Sequence, residues 1–390
     1  MEEMNELFYR EPYTKEFDVT VQNCTESKNG YAVILNDTAF YPEGGGQSCD
    51  IGTLDGKEVY DVQRVDGVIV HYMKEPLEAG KTVHGVIDWN RRFDNMQNHT
   101  GEHIVSGLIH NKYGYDNVGF HMGKEVIQID FNGPLDWKQL MEIEEKANDI
   151  VMKDEEVHIF FPDSEELDQY DYRSKKELKG KVRLVEIADA DLCACCGTHV
   201  SRTGEVGLIK ILSVAKNKSG VRVEMISGKR AVQCVQNIVT ANRTIMDMLS
   251  CRMYESADAV TRMMDENRKQ ASIIHDLQEE MIQYKLMNMK ENEPLLTDVE
   301  EGMDRVSMVH MGNAMLKEKH AGVACILSKE GNGYVYFICS ESVPLSSLAK
   351  KLNQQLSGRG GGRNDNIQGR FECDLDSILE CLKQTFSENM

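Results

Sequence analysis

Between Lys229 and Met289 the chain contains neither proline nor glycine, and no other feature limits its fold as strongly. So long a run without either breaker, rich in Met, Gln, Glu, Arg and Lys, predicts one long helix or a pair of helices. Pro294 ends it. Within the run, Ile274, Leu277, Met281, Tyr284 and Met287 or Met289 recur at helical spacing and form an apolar seam. Methionine-rich seams specify partners loosely, so a homodimer contact and packing within the chain both stay open.

The part before the run reads as two regions. Short apolar runs such as YAVIL (31–35) and VIVHY (68–72) alternate with turn signals at 28–30, 36–37, 55–56 and 66–67, which predicts a β-rich barrel or sandwich over 1–90. Inside it, FYPEGGGQ (40–47) carries Gly44, Gly45 and Gly46, where the backbone is free to take positive φ and approach a ligand, or to make an ordinary turn. From Arg91 the period becomes helical through Met96, His99, His103, Ile104 and Leu108, ending near Gly114. Strands at 126–131, 157–161, 182–187 and 206–214 and a helix at 137–152 follow within 91–228. After the helical linker, 229–293, strands at 305–310, 323–328 and 334–340 and helices at 345–356 and 378–385 predict a compact α/β domain over 294–390. The fold class is α+β.

Composition narrows the function classes. A net charge of -20 argues against general attraction to polyanions, so any nucleic-acid contact must come from local basic patches. Eleven cysteines, scattered except for Cys193, Cys195 and Cys196, suit reduced thiols or a metal site better than a disulfide framework. No apolar run approaches the roughly 18 residues of a membrane span, and the acidic N-terminus is unlike a signal peptide. A cytoplasmic protein without a membrane partner is expected.

The chemistry concentrates in two distant segments, His99-Thr100-Gly101-Glu102-His103 and Cys195-Cys196-Gly197-Thr198-His199. Residues four apart on a helix share a face, with Cβ atoms about 6 Å apart, so His99 and His103 are able to reach one ion. Cys195 and His199 repeat the spacing in a glycine-containing turn and add a thiolate. Three imidazoles and one sulfur suit tetrahedral Zn2+ better than hard cations. Four protein ligands usually close a structural site, whereas catalysis needs an open position. Residues 99–103 also spell H-x-x-E-H, a peptidase motif in which Glu102 would be the general base, although that reading leaves Cys195 and His199 without a role. The plain alternative for Glu102 is a solvated helix residue. Near the C-terminus, Lys350, Lys351, Arg359, Arg363 and Arg370 outnumber Asp365 across a glycine-rich stretch, a pattern for phosphate contacts or for a flexible loop.

Taken in order, FYPEGGGQ (40–47), Arg92 with HTGEH (99–103), CCGTHV (195–200) and GRGGGRNDNIQG (358–369) resemble the alanyl-tRNA editing proteins, in their long form. The resemblance implies a glycine-motif β domain, a zinc-bearing editing domain, a helical linker and a C-terminal domain similar to the DHH-associated domain. It implies hydrolysis of the ester joining serine, and to some extent glycine, to alanine tRNA. A synthetase's charging domain would precede this segment, so editing in trans without aminoacylation is expected. By position, His99, His103, Cys195 and His199 match the zinc ligands, Thr100 the residue that reads the serine hydroxyl, and Gln47 with Gly44–Gly46 the pocket loop. Thr100, Gln47 and Glu102 are therefore the candidate catalytic groups, and Gly44, Gly45, Gly46 and Arg92 the candidate substrate-binding ones. Arg359, Gly361, Gly362, Arg363, Asn364 and Gln368 match a tRNA-binding segment. Rival functions are a zinc peptidase, a nonenzymatic RNA-binding protein with structural zinc, and a phosphoesterase, whose Asp-His-His signature is absent.

Overall fold

The computed structural model describes residues 5–174, 182–218 and 220–387; residues 1–4 and 388–390, which begin and end the first and last predicted domains, lie outside them. The chain divides into two compact units, Met1–Thr244 and Ile245–Met390.

In the first unit a short helix α1 (Leu7–Arg10) precedes strands β1 (Glu16–Ser27), β2 (Gly30–Leu35), β3 (Gly52–Leu54), β4 (Lys57–Val65), β5 (Val68–Met73) and β6 (Thr82–Ile87). They close into a barrel in the order β1-β2-β5-β4-β3-β6. Alternation drives this: Phe17, Val19 and Val21 point inward from β1 to meet Val33, Leu54, Val59, Met73 and Val83, while Asp18 faces out. Closure leaves no unpaired edge. FYPEGGGQ lies in the connection between β2 and β3.

Helix α2 (Trp89–Tyr113) comes next. Asp88 caps its start by accepting from Arg91 N, and Gly114, at φ 69°, ends it with an N–H donated to His110 O. The helix is buried on nearly every side although many of those residues are polar: Asn95, Asn98, His99, Thr100, Glu102, His103 and Ser106. Burying such groups is costly unless each is hydrogen-bonded, so their partners identify what the helix is for. At its N-terminal end the buried Arg92 guanidinium donates to Asp50, Ala39 O and Pro12 O, tying helix to barrel. Arg92, expected to bind substrate, is thus a clamp inside the fold. Removing one partner of such a buried pair costs about 3–5 kcal/mol.

Strands β7 (Asn117–Met122) and β8 (Ile127–Phe131), helix α3 (Trp137–Lys153), β9 (Val157–Phe160), a short α4 (Ser164–Leu167), β10 (Leu184–Ile187), β11 (Asp191–Ala194), β12 (Ile209–Asn217) and β13 (Gly220–Ser227) complete the mixed region. They form a 4-stranded sheet, β12-β13-β8-β7, and a 3-stranded one, β11-β10-β9. Their core joins Met96, Ile104, Val105 and Ile109 of α2 to Leu140, Ile143 and Ala147 of α3. The end of β11 delivers the chain directly to Cys195.

The proline- and glycine-free run is a helix pair, α5 (Gly228–Leu249) and α6 (Ser256–Asn288). In the second unit, α6 buries Ile282 and Leu286 against Met308, Met311 and Met315, with Met281 partly buried beside them. Of the rest of the expected seam, Ile274, Leu277, Tyr284 and Met287 are exposed, while Met289 is partly buried against the same core. The unit continues with β14 (Leu295–Glu301), α7 (Arg305–Lys319), β15 (Val323–Glu330), β16 (Gly333–Cys339), α8 (Leu345–Gln355), β17 (Arg359–Gly362), β18 (Asn366–Phe371) and α9 (Leu375–Ser387), in a 5-stranded sheet ordered β14-β15-β16-β18-β17. One expectation is corrected here. Residues 305–310, expected as a strand, open α7, because Asp304 caps them through Val306 N and Ser307 N and Met308, Met311 and Met315 recur on one buried face. The glycine-arginine stretch, for which a flexible loop is the plain alternative, is a hairpin of β17 against β18. Among the described residues no helix is long and apolar enough to cross a membrane.

Candidate metal centre

His99 and His103, one turn apart on α2, meet Cys195 and His199 from the loop after β11, and their donor atoms all lie within 4.8 Å of one another. Cys195 Sγ is 3.4 Å from both His99 Nε2 and His199 Nε2. Donors on a tetrahedral ion with metal–sulfur and metal–nitrogen bonds near 2.3 and 2.0 Å are separated by roughly 3.3–3.6 Å. The spacing therefore fits a metal. Gly197 N–H also donates to Cys195 Sγ at 3.3 Å, which favours the thiolate.

Each imidazole is turned by a partner on its other nitrogen. His99 Nδ1 lies 2.8 Å from Gln47 Oε1, which also accepts from Thr198 N, while Gln47 Nε2 donates to Thr198 Oγ1. Those bonds fix the amide's orientation, so His99 donates from Nδ1 and points Nε2 at the cluster. His199 Nδ1 is 3.1 Å from Thr100 Oγ1, which also accepts from Val200 N. His103 Nδ1 is 2.8 Å from Asp191 Oδ2.

The barrel supplies Gln47 through a tight turn. Gly44 and Gln47 exchange backbone hydrogen bonds across Gly45 and Gly46, at φ 60° and 87°, which glycine tolerates and most residues do not. Met122 N donates to Gly46 O, pinning the turn to β7, and a Cβ on Gly46 would lie 2.5 Å from the Phe120 ring. Gly197 is needed for a different reason, close approach: a Cβ there would lie 2.0 Å from His99 Cε1. Arg183 steadies the same loop by donating to Cys195 O and Gly197 O, and Tyr9 OH donates to Cys196 O.

The electrostatics favour a cation at the centre. Burial raises the Cys195 thiol, but His99, His103 and His199 outweigh it and hold it well below its ordinary value. Burial lowers His103, yet Cys195, Asp191 and Glu102 carry it up to about 10. His199 is pulled down to about 3, with burial the largest cause. A thiolate and a His103 that its neighbours hold protonated mark a place that draws positive charge, which a soft metal displacing that proton would supply.

Glu102 is not the solvated residue the plain reading expects. It is buried, with Oε1 accepting from Ser106 Oγ at 2.6 Å and from Asn117 Nδ2. Thr100 and Gln47 are buried as well, beneath the histidines they hold. In the second unit, Gly361 pairs with Gln368 and Gly362 with Ile367 across the hairpin, Arg359 and Arg363 are exposed, and Asn364 is held by Ser346 and Leu345 N. Arg370 is paired with Glu330 and Glu372. Sequence reasoning missed Asp191, Arg173, Arg183 and Tyr9, all of which support the cluster. The one signal in hand was Asp191's position four residues before Cys195.

Known proteins give concordant matches. Residues 8–91 match the model for tRNA synthetases class II (A), residues 182–224 that for the threonyl and alanyl tRNA synthetase second additional domain, and residues 292–388 that for the DHHA1 domain. The chain is 30% identical over 399 residues to the alanyl-tRNA editing protein AlaX-L of Pyrococcus horikoshii, with 96% of each chain covered. It is 34% identical to the alanine–tRNA ligase of Ignicoccus hospitalis and 33% identical to that of Pyrococcus abyssi. Those matches cover 91% and 98% of this chain but 44% and 43% of the ligases, so the chain spans less than half of their length.

Proposed function

Because the chain belongs to the family of alanyl-tRNA editing proteins, we propose that it is a zinc-dependent deacylase that hydrolyses the ester of mischarged seryl-tRNA(Ala), and of glycyl-tRNA(Ala) to a lesser extent, in trans. The observation that carries this reading is the His99, His103, Cys195 and His199 cluster, with every imidazole turned inward by a partner on Nδ1. Three nitrogens and a thiolate are a common zinc set, and zinc when bound supplies Lewis acidity and positive charge beside an ester.

The remaining work falls to the chain's own groups. Gln47 and Thr100 hold His99 and His199, so the cluster keeps its shape when substrate arrives. Phe120, whose ring stands 5.3 Å from that of His99, and the Gly46 turn packed on Phe120 form one wall of the site in this reading. Thr100 Oγ1 accepts from Val200 N, and with zinc on Nε2 the His199 Nδ1–H would donate to it too, which would leave its own hydroxyl hydrogen to offer a substrate hydroxyl. That would explain the preference for serine: a charging pocket for alanine cannot strongly reject an isostere that adds a hydroxyl, so a second site must favour that hydroxyl. The Arg359–Gly362 strand with Arg363, Asn364 and Gln368 contacts the tRNA in this reading, and the exposed α6 stripe makes a homodimer contact that sedimentation would register as a doubled mass.

The test is hydrolysis of seryl, glycyl and alanyl esters of alanine tRNA, with zinc measured on the same sample. Loss of the seryl ester with the alanyl ester spared is expected. Zinc-loaded, folded protein that leaves all three intact would favour the RNA-binding alternative, which the closed four-donor count supports.

A further inference from the structure

The three histidines of the cluster are not held alike. Neutral groups hold two of them, Gln47 on His99 and Thr100 on His199, whereas His103 is held by a carboxylate, Asp191. Both oxygens of that carboxylate are also gripped by Arg173, Nε on Oδ1 and Nη2 on Oδ2, each at 2.7 Å. The Asp191 side chain is 1% exposed and that of Arg173 13%. The backbone delivers this fork: Arg173 is bridged to Cys193 beside β11, donating N–H to Leu192 O and accepting from Ala194 N.

The geometry points to Arg173 and Asp191 as positioning residues that set how tightly the metal is held and by which atoms. The inference rests on the metal reading of the cluster. His103, Asp191 and Cys193 lie close enough together to form a rival donor set. With Arg173 on both its oxygens, Asp191 acts on the ion through His103 and does not become a ligand itself. A carboxylate on Nδ1–H fixes the tautomer and makes Nε2 a stronger donor. Arg173 also makes Asp191→Asn worse than the loss of one charge. The guanidinium only donates and holds both oxygens, so the amide NH2 must oppose either Nε or, with the amide turned, both Nη2 and His103 Nδ1. The first sets donor against donor beside the oxygen that holds His103, and the second moves the imidazole proton to Nε2, where the ion needs a lone pair.

The parental 390-residue chain, Arg173→Gln, Arg173→Lys, Asp191→Asn and the Arg173→Gln/Asp191→Asn double variant would be titrated with Zn2+ against a chromophoric chelator. Their Co2+ forms would be recorded for the sulfur-to-cobalt charge-transfer band, and thermal melts of the metal-free proteins would check folding. Arg222→Gln is the control, since its exposed fork on Asp130 is a comparable ion pair belonging to β13 and β8. Affinity is expected to fall about 10–100-fold in Asp191→Asn and about tenfold in Arg173→Gln. Arg173→Lys should lose less, and Arg222→Gln nothing. The cobalt band should persist, shifted, in Asp191→Asn. In the double variant no guanidinium donor opposes the amide NH2, so Asp191→Asn costs less there than alone. Folded Asp191→Asn and Arg173→Gln proteins with parental affinity would overturn the inference, as would an equal loss in Arg222→Gln. Failure of the parental protein itself to take up zinc would instead overturn the metal reading on which it rests.

Discussion

At the candidate metal centre, Gln47, Thr100 and Asp191 are each buried and held by two or more hydrogen bonds, whereas on the β17–β18 hairpin the backbone is nearly bare and Arg359 and Arg363 reach solvent. The difference follows from what each place would do. A group that must aim a lone pair needs its neighbours fixed to within a fraction of an ångström, and burial with full hydrogen bonding achieves that. A surface that attracts a polyanion needs accessible charge and a backbone that lets phosphates approach. On a chain of net charge -20, such a surface has to be local.

The contrast breaks most sharply at a ligand. Cys195→Ala should abolish stoichiometric zinc and lower deacylation by more than roughly a hundredfold, since partners one shell out are already worth about 10–100-fold. Chelator treatment should match it, and added zinc should rescue the parental protein only.

Acid offers a second separation. His71 lies inside the barrel that presents Gln47, with Nε2 2.9 Å from Thr38 Oγ1, and burial lowers it from 6.5 to about 4. The unfolded chain therefore binds a proton below pH 6.5 that the folded barrel takes up only near pH 4. Stability is full above pH 6.5 and declines by about 3 kcal/mol as the pH falls to 4. Urea unfolding at pH 7 and pH 5 should show this slope, flattened in His71→Gln.

Gln47→Ala should weaken zinc binding and hydrolysis by about 10–100-fold, because it frees His99 to turn. If activity survived unchanged, the barrel would be only a scaffold. The smallest effects belong to the hairpin: Arg359→Ala or Arg363→Ala should reduce tRNA affinity a few-fold, lower the slope of log affinity against log salt by about 1, and leave hydrolysis of a minimal ester substrate unchanged.

The two ligand pairs are legible in the sequence because each is local, set by one helical turn or one tight loop. Their partners are not, since Gln47 lies 52 positions from His99, and Asp191 lies 88 from His103. The barrel shows in its alternation and its turn glycines. Strand β7 does not, because Asn117, Gly119 and His121 are poor strand formers and Gly119 follows a bulge. The start of α7 misleads for another reason: Val306, Met308 and His310 alternate like a strand, and the decisive signal is the cap at Asp304 just outside the apolar pattern. Glu102 and Arg92 look like surface or substrate residues in one dimension and become interior ones only when β7 and the barrel close over them.

Cys195 and His99 stand 96 positions apart in the chain. An ion held between them, as proposed, would be a staple across a loop of that length. By the chain-entropy reasoning applied to disulfides, a closure of this size restricts the unfolded chain by about 4–5 kcal/mol. Metal scarcity would then shorten the protein's lifetime as well as stop its chemistry, because the stripped chain opens more often to proteases. The level of folded protein would thus follow the supply of the ion.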